Sequence, residues 1–373
     1  MIPWYLWCVV LAGTSAMIGG LWDISWHRSI GRDTFWTPAH IAIYLCGVLA
    51  GISCGYLILA TTFSRSAAHL RVNSVKLWGF HGPLGAFIAS WGGIAMLTSA
   101  PFDDWWHNAY GLDVRIISPP HAILAIGMFS VMLGAIVLSI SFMNRAEGPS
   151  RLTFERLYIY LGGLVLLNMA TFIMEYTFRV NMHSAIYYRS VGLALPFFLV
   201  AFSRASGLRY PATKMAFVYM LVWNGMNWIL PLFPAEPKLG PVLNPITHFV
   251  ASWFSLLLFA PAFAVDWILD RSVNWSTAKR ALAAGTAFMA VMIAVHWPFG
   301  DFLQTAWARN WFFYADARDY RTGPNSLSAR NLFLYWERTP AEFWTNLSIA
   351  FAASIGMSWI GLRWSRWLKQ VRT

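Results

Sequence analysis

Residues 23–27 read Asp-Ile-Ser-Trp-His, and residues 37–40 read Thr-Pro-Ala-His. A related pair follows eighty positions later, where residues 103–107 read Asp-Asp-Trp-Trp-His and residues 118–121 read Ser-Pro-Pro-His. Both copies contain a Gly-x-Asp sequence between their two parts, and the second copy is one residue longer between its histidines. This repeat predicts a pseudo-repeated pair of helical hairpins at the N-terminal end of the chain.

The spacing within each copy predicts where the polar side chains lie. Asp23 and His27 are four residues apart at the end of an apolar run, so on a helix they project from one face near its C-terminus. Thr37 and Pro38 are typical of an N-cap and a first-turn proline, which makes His40 the third residue of the next helix. One carboxylate and two imidazoles would therefore meet across a short loop. The second copy predicts the same arrangement for Asp103, His107 and His121.

These positions suit a bound metal ion. A carboxylate at a helix C-terminus faces the negative end of the helix dipole, which costs up to about 1 kcal/mol unless a cation is present. A histidine in a first turn meets the positive end, which keeps the imidazole neutral and able to bind a metal. Three ligands leave one position open for a reacting molecule, and two imidazoles with a carboxylate suit Fe(II), Zn(II) or Cu(II). The alternative is that these side chains only cap helices and bond to loop backbone.

The composition predicts a polytopic integral membrane protein. Hydrophobic residues make up 58% of the 373 positions, charged residues make up only 12%, and the mean hydropathy is +0.51. Apolar runs of about 20 residues are long enough to cross a bilayer as helices. We expect an all-α fold with about ten transmembrane helices, of which residues 1–145 form a four-helix metal-binding unit and residues 146–373 a six-helix unit of unknown role. The runs centre near Val10, Ala50, Trp91, Phe129, Val165, Phe197, Val222, Leu257, Met289 and Ala352.

The basic residues indicate how the chain is oriented. The net charge is +11, but Lys and Arg gather in alternate loops instead of forming a patch for nucleic acid, so no nucleic-acid partner is expected. By the positive-inside rule these loops and both termini are cytoplasmic, and the two motifs face the periplasm or the cell exterior. The basic loops contain Arg65, Arg71 and Lys76; Arg145, Arg151 and Arg156; Arg204, Arg209 and Lys214; Arg271, Lys279 and Arg280; and Arg363, Arg366, Lys369 and Arg372.

Other polar residues are assigned supporting roles. We expect Asp33 and Asp113, in the two Gly-x-Asp sequences, to accept a hydrogen bond from a metal-bound histidine or to close the loop. Asp104 could replace Asp103 as a ligand, but the first copy has Ile24 at that position. The remaining outer-side residues are expected to form salt bridges or hydrogen bonds between helices. They are Glu175, His183, His248, His296 and Asp301.

The two motifs resemble the C subunit of the copper membrane monooxygenases, the particulate methane and ammonia monooxygenases. The resemblance covers about residues 15–145, and the second copy is similar to that subunit's adjacent copper site, where the family has Asn at the position of Asp103. In the first copy the match consists of Asp23, Trp26, His27, Ile30, Arg32, Asp33, Thr34, Thr37, Pro38 and His40. No counterpart is found for the helices from about residue 146 onward.

The resemblance implies a copper-dependent membrane monooxygenase subunit in a bacterial-type inner membrane. It implies one or two copper ions as cofactor and partner membrane subunits in a monooxygenase-type complex, whereas the ligand types alone leave zinc or iron open. The expected substrates are O2 and a small apolar molecule dissolved in the lipid bilayer. The implied ligands are Asp23, His27 and His40 at one site and Asp103, His107 and His121 at the other, of which the second set is expected to be catalytic.

Two other functions fit the sequence. The chain could bind copper or zinc for storage or transport without catalysis, although a transporter should offer ligands along the membrane path and the cytoplasmic half contains only His69 and His81. It could also be a structural or assembly subunit whose polar groups stabilise helix ends. Metal content and oxygen consumption distinguish these functions.

Overall fold

The computed structural model describes residues 2–66, 68–111, 118–238, 246–314 and 333–373. These residues form an all-α fold with one short antiparallel hairpin, β1 (Val75–Leu77) and β2 (Phe80–Gly82). The helices are α1 (Trp4–Ser29), α2 (Pro38–Phe63), α3 (Leu84–Tyr110), α4 (Pro119–Arg145), α5 (Pro149–Phe172), α6 (Ala185–Ala194), α7 (Pro196–Ser206), α8 (Pro211–Ile229), α9 (Phe259–Arg271), α10 (Thr277–Phe302) and α11 (Pro340–Gln370).

Eight stretches of the described residues are long and apolar enough to cross a membrane. They are α1, α2, α3, α4, the pair α6 and α7, α8 with the short turn that follows it, α10, and α11. The prediction of an all-α, multi-pass membrane protein is confirmed, whereas ten spans are not. The two predicted spans that fall short are those centred near Val165 and Leu257. Val165 lies on α5, whose first turns carry Arg151, Glu155 and Arg156.

The chain around Leu257 is not helical, because α9 begins only at Phe259 and has 13 residues. Residues 249–257 are instead irregular and mostly buried. Pro261 is the third residue of α9, and extending the helix backward by a turn would bring the proline ring against the carbonyl four residues earlier. The apolar run alone could not reveal this, since a buried irregular segment and a buried helix have the same hydrophobicity.

The chain divides into two compact units. The first contains Met1–Asp23, Asp33–Asn168 and Trp367–Thr373, and the second contains Ile24–Arg32 and Met169–Arg366. The predicted division at residue 145 stays a prediction, as does the pseudo-repeat.

Glycines allow the helices of the first unit to pack closely. A Cβ built on Gly85 of α3 would lie 2.5 Å from the backbone oxygen of Gly134 on α4, and one on Gly92 would lie 2.7 Å from that of Gly127. Because the lower-numbered residue of α3 meets the higher-numbered residue of α4, the two helices are antiparallel. On α2, Gly47 likewise meets the backbone of α3. Successive helices therefore reverse direction, which places the end of α3 and the start of α4 at the same end of this unit.

Side-chain hydrogen bonds hold the irregular segment of the second unit. The backbone N–H of Ser252 donates to Asn227 Oδ1 at 2.8 Å, that of Leu256 to the Tyr219 hydroxyl at 2.9 Å, and that of Leu257 to His296 Nε2 at 2.9 Å. Non-helical backbone at membrane depth is tolerated only where such partners replace the helix's own bonds. Buried His296 therefore has a structural role, as a neutral acceptor for the segment.

Candidate metal centres

The second motif forms a compact group of three ligand-type side chains within the first unit. Asp103 and His107 lie one turn apart near the end of α3, and His121 is the third residue of α4. Asp103 Oδ1 lies 3.6 Å from His107 Nε2 and 3.4 Å from His121 Nε2. All three side chains are half-buried, and one ligand atom from each lies within 4.8 Å of the others.

The first motif forms a similar group across the loop between α1 and α2. His40 Nε2 lies 3.1 Å from Asp23 Oδ1 and 3.3 Å from Asp33 Oδ2. His27 follows Asp23 by one turn on the continuous α1 helix, and its ligand atom lies within 4.8 Å of those of the other three residues. His27 is exposed, whereas the other three are half-buried.

Hydrogen bonds to backbone carbonyls determine how two of the histidine rings are oriented. His40 Nδ1 lies 3.0 Å from the backbone oxygen of Thr34, and His107 Nδ1 lies 3.0 Å from that of Gly111. A carbonyl oxygen can only accept, so Nδ1 carries the hydrogen in both rings and Nε2 faces the carboxylates. Metal-bound histidines usually have this arrangement, with the non-ligating N–H given to a carbonyl or carboxylate.

The measured carboxylate-to-imidazole distances in the two groups match ligands that share one ion. Two donors bound to an ion at about 2.0–2.1 Å with tetrahedral angles lie about 3.3 Å apart. The measured nitrogen-to-oxygen separations, from 3.1 to 3.6 Å, bracket this value. A neutral Nε2 would direct its lone pair at a carboxylate, which is repulsive, so a proton or a metal ion must lie between them. A proton on the ring makes the pair a salt bridge, a proton on the carboxyl group makes it a neutral hydrogen bond, and a metal ion would be bound by both.

Two glycines shape the loops that carry the ligands. Gly31, two residues beyond α1, has φ +85°, and Gly111, which ends α3, has φ +86° and ψ −169°. Any residue with a Cβ is strained at such a positive φ, which explains why both copies have glycine at this position. Asp113 of the second copy lies outside the described residues. Asp33 of the first copy is turned back into the site.

The two N-cap residues behave differently. The Ser118 side chain accepts from the backbone N–H of His121, as predicted for an N-cap. Thr37 precedes α2 but makes no side-chain cap. Its hydroxyl instead accepts from the backbone N–H of Thr34 at 2.8 Å, and its own N–H donates to the carbonyl of Thr34 at 2.9 Å. Thr37 thus closes the loop that contains Asp33.

Tyr44 connects the surroundings of the two groups. It lies one turn beyond His40 on α2, and its ring centroid is 6.0 Å from that of His40. The negative charges of Asp23 and Asp33 in the first group, of Asp103 in the second, and of Asp104 beside it all act on Tyr44. The two groups are therefore close enough to share one electrostatic environment, and a divalent ion in either would offset this accumulation of acid.

The structure brings together all six predicted ligands, in two groups, and adds Asp33. We expected Asp33 to support a ligand, not to join the group. The signal for it was present, since Gly31-x-Asp33 occurs within the motif, but the direction of the loop depends on backbone geometry. Asp104 is outside the groups found among the described residues and accepts from Asn108 Nδ2 at 3.4 Å.

The other two histidines that were predicted on the outer side, His183 and His248, make hydrogen bonds and ring contacts. His183 stacks between Trp297 and Phe333, with Nε2 3.0 Å from the carbonyl of Trp297 and 3.6 Å from Asp301 Oδ1. His248 Nδ1 lies 2.9 Å from the Thr247 hydroxyl. Among the described residues, neither belongs to a group with metal-binding geometry. His183 thus makes a contact of the predicted kind, with residues of α10, whereas the bond of His248 is to its neighbour in the chain.

Comparison with protein-family models, curated proteins and solved structures finds no match. The resemblance of the two motifs to copper membrane monooxygenases therefore stays a prediction from the sequence.

Proposed function

We propose that this chain is the metal-bearing subunit of a copper-dependent membrane monooxygenase. The carrying observation is that each group directs histidine Nε2 atoms at carboxylate oxygens 3.1–3.6 Å away, with the Nδ1 atoms of His40 and His107 held by carbonyls. If the His40 and His107 rings formed salt bridges instead, each ring would have to carry a second proton. One divalent ion in each group would be bound by the imidazole and carboxylate ligand atoms together. Copper is proposed because it binds most tightly among divalent ions and because of the motif resemblance.

The second group is the proposed catalytic centre. Asp103, His107 and His121 would hold the ion, which supplies the one-electron and O2 chemistry that side chains lack. The Gly111 carbonyl and the Ser118 cap would keep the ligands oriented. Exposed apolar side chains of α3, including Trp91, Leu97 and Trp105, would leave the substrate a lipid-facing approach.

The proposed setting is a bacterial-type inner membrane. The basic loops and both termini would be cytoplasmic, which puts the two metal groups near the periplasmic side. The proposed partners are further membrane subunits, which would contribute the electron supply, and a small apolar substrate. Transport of the metal is the weaker alternative, because both groups lie at helix ends and no further group was found among the described residues.

The test combines metal analysis with oxygen consumption on the full chain purified from membranes. Copper-loaded protein, with its co-purifying subunits and a supplied reductant, should consume O2 in step with oxidation of small alkanes. His107→Ala and His121→Ala should abolish both bound metal at that site and turnover. His69→Ala, a change of the same type on the 3-10 helix between α2 and β1, should leave both intact.

Three results would be distinguishable. Copper bound without any substrate-dependent O2 consumption would indicate storage or transport, and the monooxygenase function would be wrong. Protein that folds normally but binds neither copper nor zinc would indicate a structural subunit. Turnover retained in metal-free His107→Ala would also refute the proposal.

A further inference from the structure

We propose that Asp33 is a direct metal ligand, which makes the first group a site of two imidazoles and two carboxylates. This inference rests on the proposed metal binding and assigns a role to one more residue. Asp33 Oδ2 lies 3.3 Å from His40 Nε2, close to the 3.1 Å that separates the same nitrogen from Asp23 Oδ1. Two carboxylates at nearly equal distance from one ligating nitrogen are placed as equivalent donors.

The orientation of the His40 ring argues against Asp33 merely supporting His40 through a hydrogen bond. A carboxylate that supports a metal-bound histidine accepts from the nitrogen that does not bind the ion. In His40 that nitrogen is Nδ1, which faces the carbonyl of Thr34. Asp33 lies on the opposite side, at Nε2, where an ion would be.

Burial separates Asp33 from an ordinary surface carboxylate. The exposed fraction of its side chain is 9%, compared with 20% for Asp23 and 13% for His40. Asp33, which the sequence predicts only as a supporting residue, is thus more buried than Asp23, which it predicts as a ligand.

The loop around Asp33 is fixed by its neighbours. Trp26 Nε1 donates to the carbonyl of Arg32 at 2.9 Å, and Thr37 bonds to Thr34 through both its hydroxyl and its backbone N–H. With Gly31 at φ +85°, these bonds leave Asp33 little freedom to move away. Ligands held by such supporting contacts bind without reordering the chain.

The second carboxylate changes which ion the site prefers. Two carboxylates balance the charge of a divalent ion, and oxygen donors favour Cu(II) and other hard ions over Cu(I). The first site should therefore retain an oxidised, divalent ion. Among the described residues the second group has a single carboxylate.

The experiment uses the full chain in a His121→Ala background, so that only the first site takes up metal. Asp33→Asn is compared with Asp104→Asn, which removes the same charge from an exposed carboxylate next to the second site. Chelator competition measures the affinities for Cu(II) and Cu(I), and electron paramagnetic resonance reports the donors around Cu(II). We expect Asp33→Asn to weaken Cu(II) binding at least about 10-fold, to change Cu(I) binding less, and to alter the copper hyperfine splitting.

If Asp33 only supports a ligand without binding the ion, Asp33→Asn leaves the atoms bound to Cu(II) unchanged. The spectrum then stays the same even if the affinity falls. That result, or behaviour identical to Asp104→Asn, would overturn the inference while the metal-binding function stands. If Asp33→Asn does not fold, Asp33→Glu decides, because it keeps the charge but moves the carboxylate: an altered spectrum supports ligation and an unaltered one refutes it. A parent protein that binds no copper would refute both this inference and the proposed function.

Discussion

The two hairpins, residues 4–63 and 84–145, have the same four-residue spacing of Asp and His on their first helices, but the residue before the second helix is bonded differently. In the second, Ser118 caps its own helix and thereby holds the backbone at His121. In the first, Thr37 bonds to Thr34 instead of capping, and the loop turns Asp33 towards His40. The two hairpins thus share the helix positions of their candidate ligands but differ in how the residue before the second helix is bonded. Residues 112–117 of the second loop lie outside the described part of the chain.

The largest difference between the two hairpins is expected when one histidine side chain is removed from each in turn. His40→Ala should empty the first site alone and His121→Ala the second alone, because each group has its own ligands. Each variant should lose one of two bound ions, and the double variant should lose both. Metal analysis after dialysis measures this. A single substitution that empties both sites would mean that the hairpins build one shared centre.

An intermediate effect is expected at the loop glycines. Gly111→Ala forces a side chain into a backbone region that only glycine adopts readily, so the free energy of unfolding should fall by about 1–3 kcal/mol. The second site should also weaken, since the Gly111 carbonyl holds His107. Gly31→Ala should do the same at the first site. Thermal unfolding in detergent and metal titration provide the measurements.

Gly51 on α2 supplies the matched control for these substitutions. It is helical, and an added Cβ would meet no atom within 4 Å. Gly51→Ala should leave stability unchanged or raise it by about 0.5–1 kcal/mol. Equal losses at Gly51 and Gly111 would show that the positive φ is not what the loop requires.

The smallest effect is expected at Ser118 and Thr37, the residues that precede the second helix of each hairpin. Ser118→Ala should cost about 0.5–1 kcal/mol, the low end for an N-cap, because the bond to the His121 N–H is 3.4 Å long. Thr37→Ala should change the stability of α2 less but weaken metal binding at the first site, since it frees the loop that holds Asp33. Unfolding and metal titration of both variants test this. The reverse pattern would show that Thr37 acts as a cap after all.

Much of the candidate site was predictable because it depends on local rules. The four-residue spacing of Asp23 and His27 places both on one helix face, and a hydroxyl residue before proline marks the next helix start. These rules require no knowledge of packing, and all six predicted ligands come together as expected. The place of Asp33 beside them could not be predicted in the same way, because its direction depends on how one loop turns at Gly31.

The sequence by itself determined the membrane class, the all-α fold and the positions of the candidate ligands, since hydrophobicity and helical periodicity are properties of neighbouring residues. Only the tertiary structure decided that the chain near Leu257 is irregular, because its backbone partners are side chains of Asn227, Tyr219 and His296, up to 39 residues away. The same holds for Asp33, whose distance from His40 follows from a loop closed by Thr37. Contacts between distant residues leave no periodic pattern in the chain, and for that physical reason these two features could not be predicted from it.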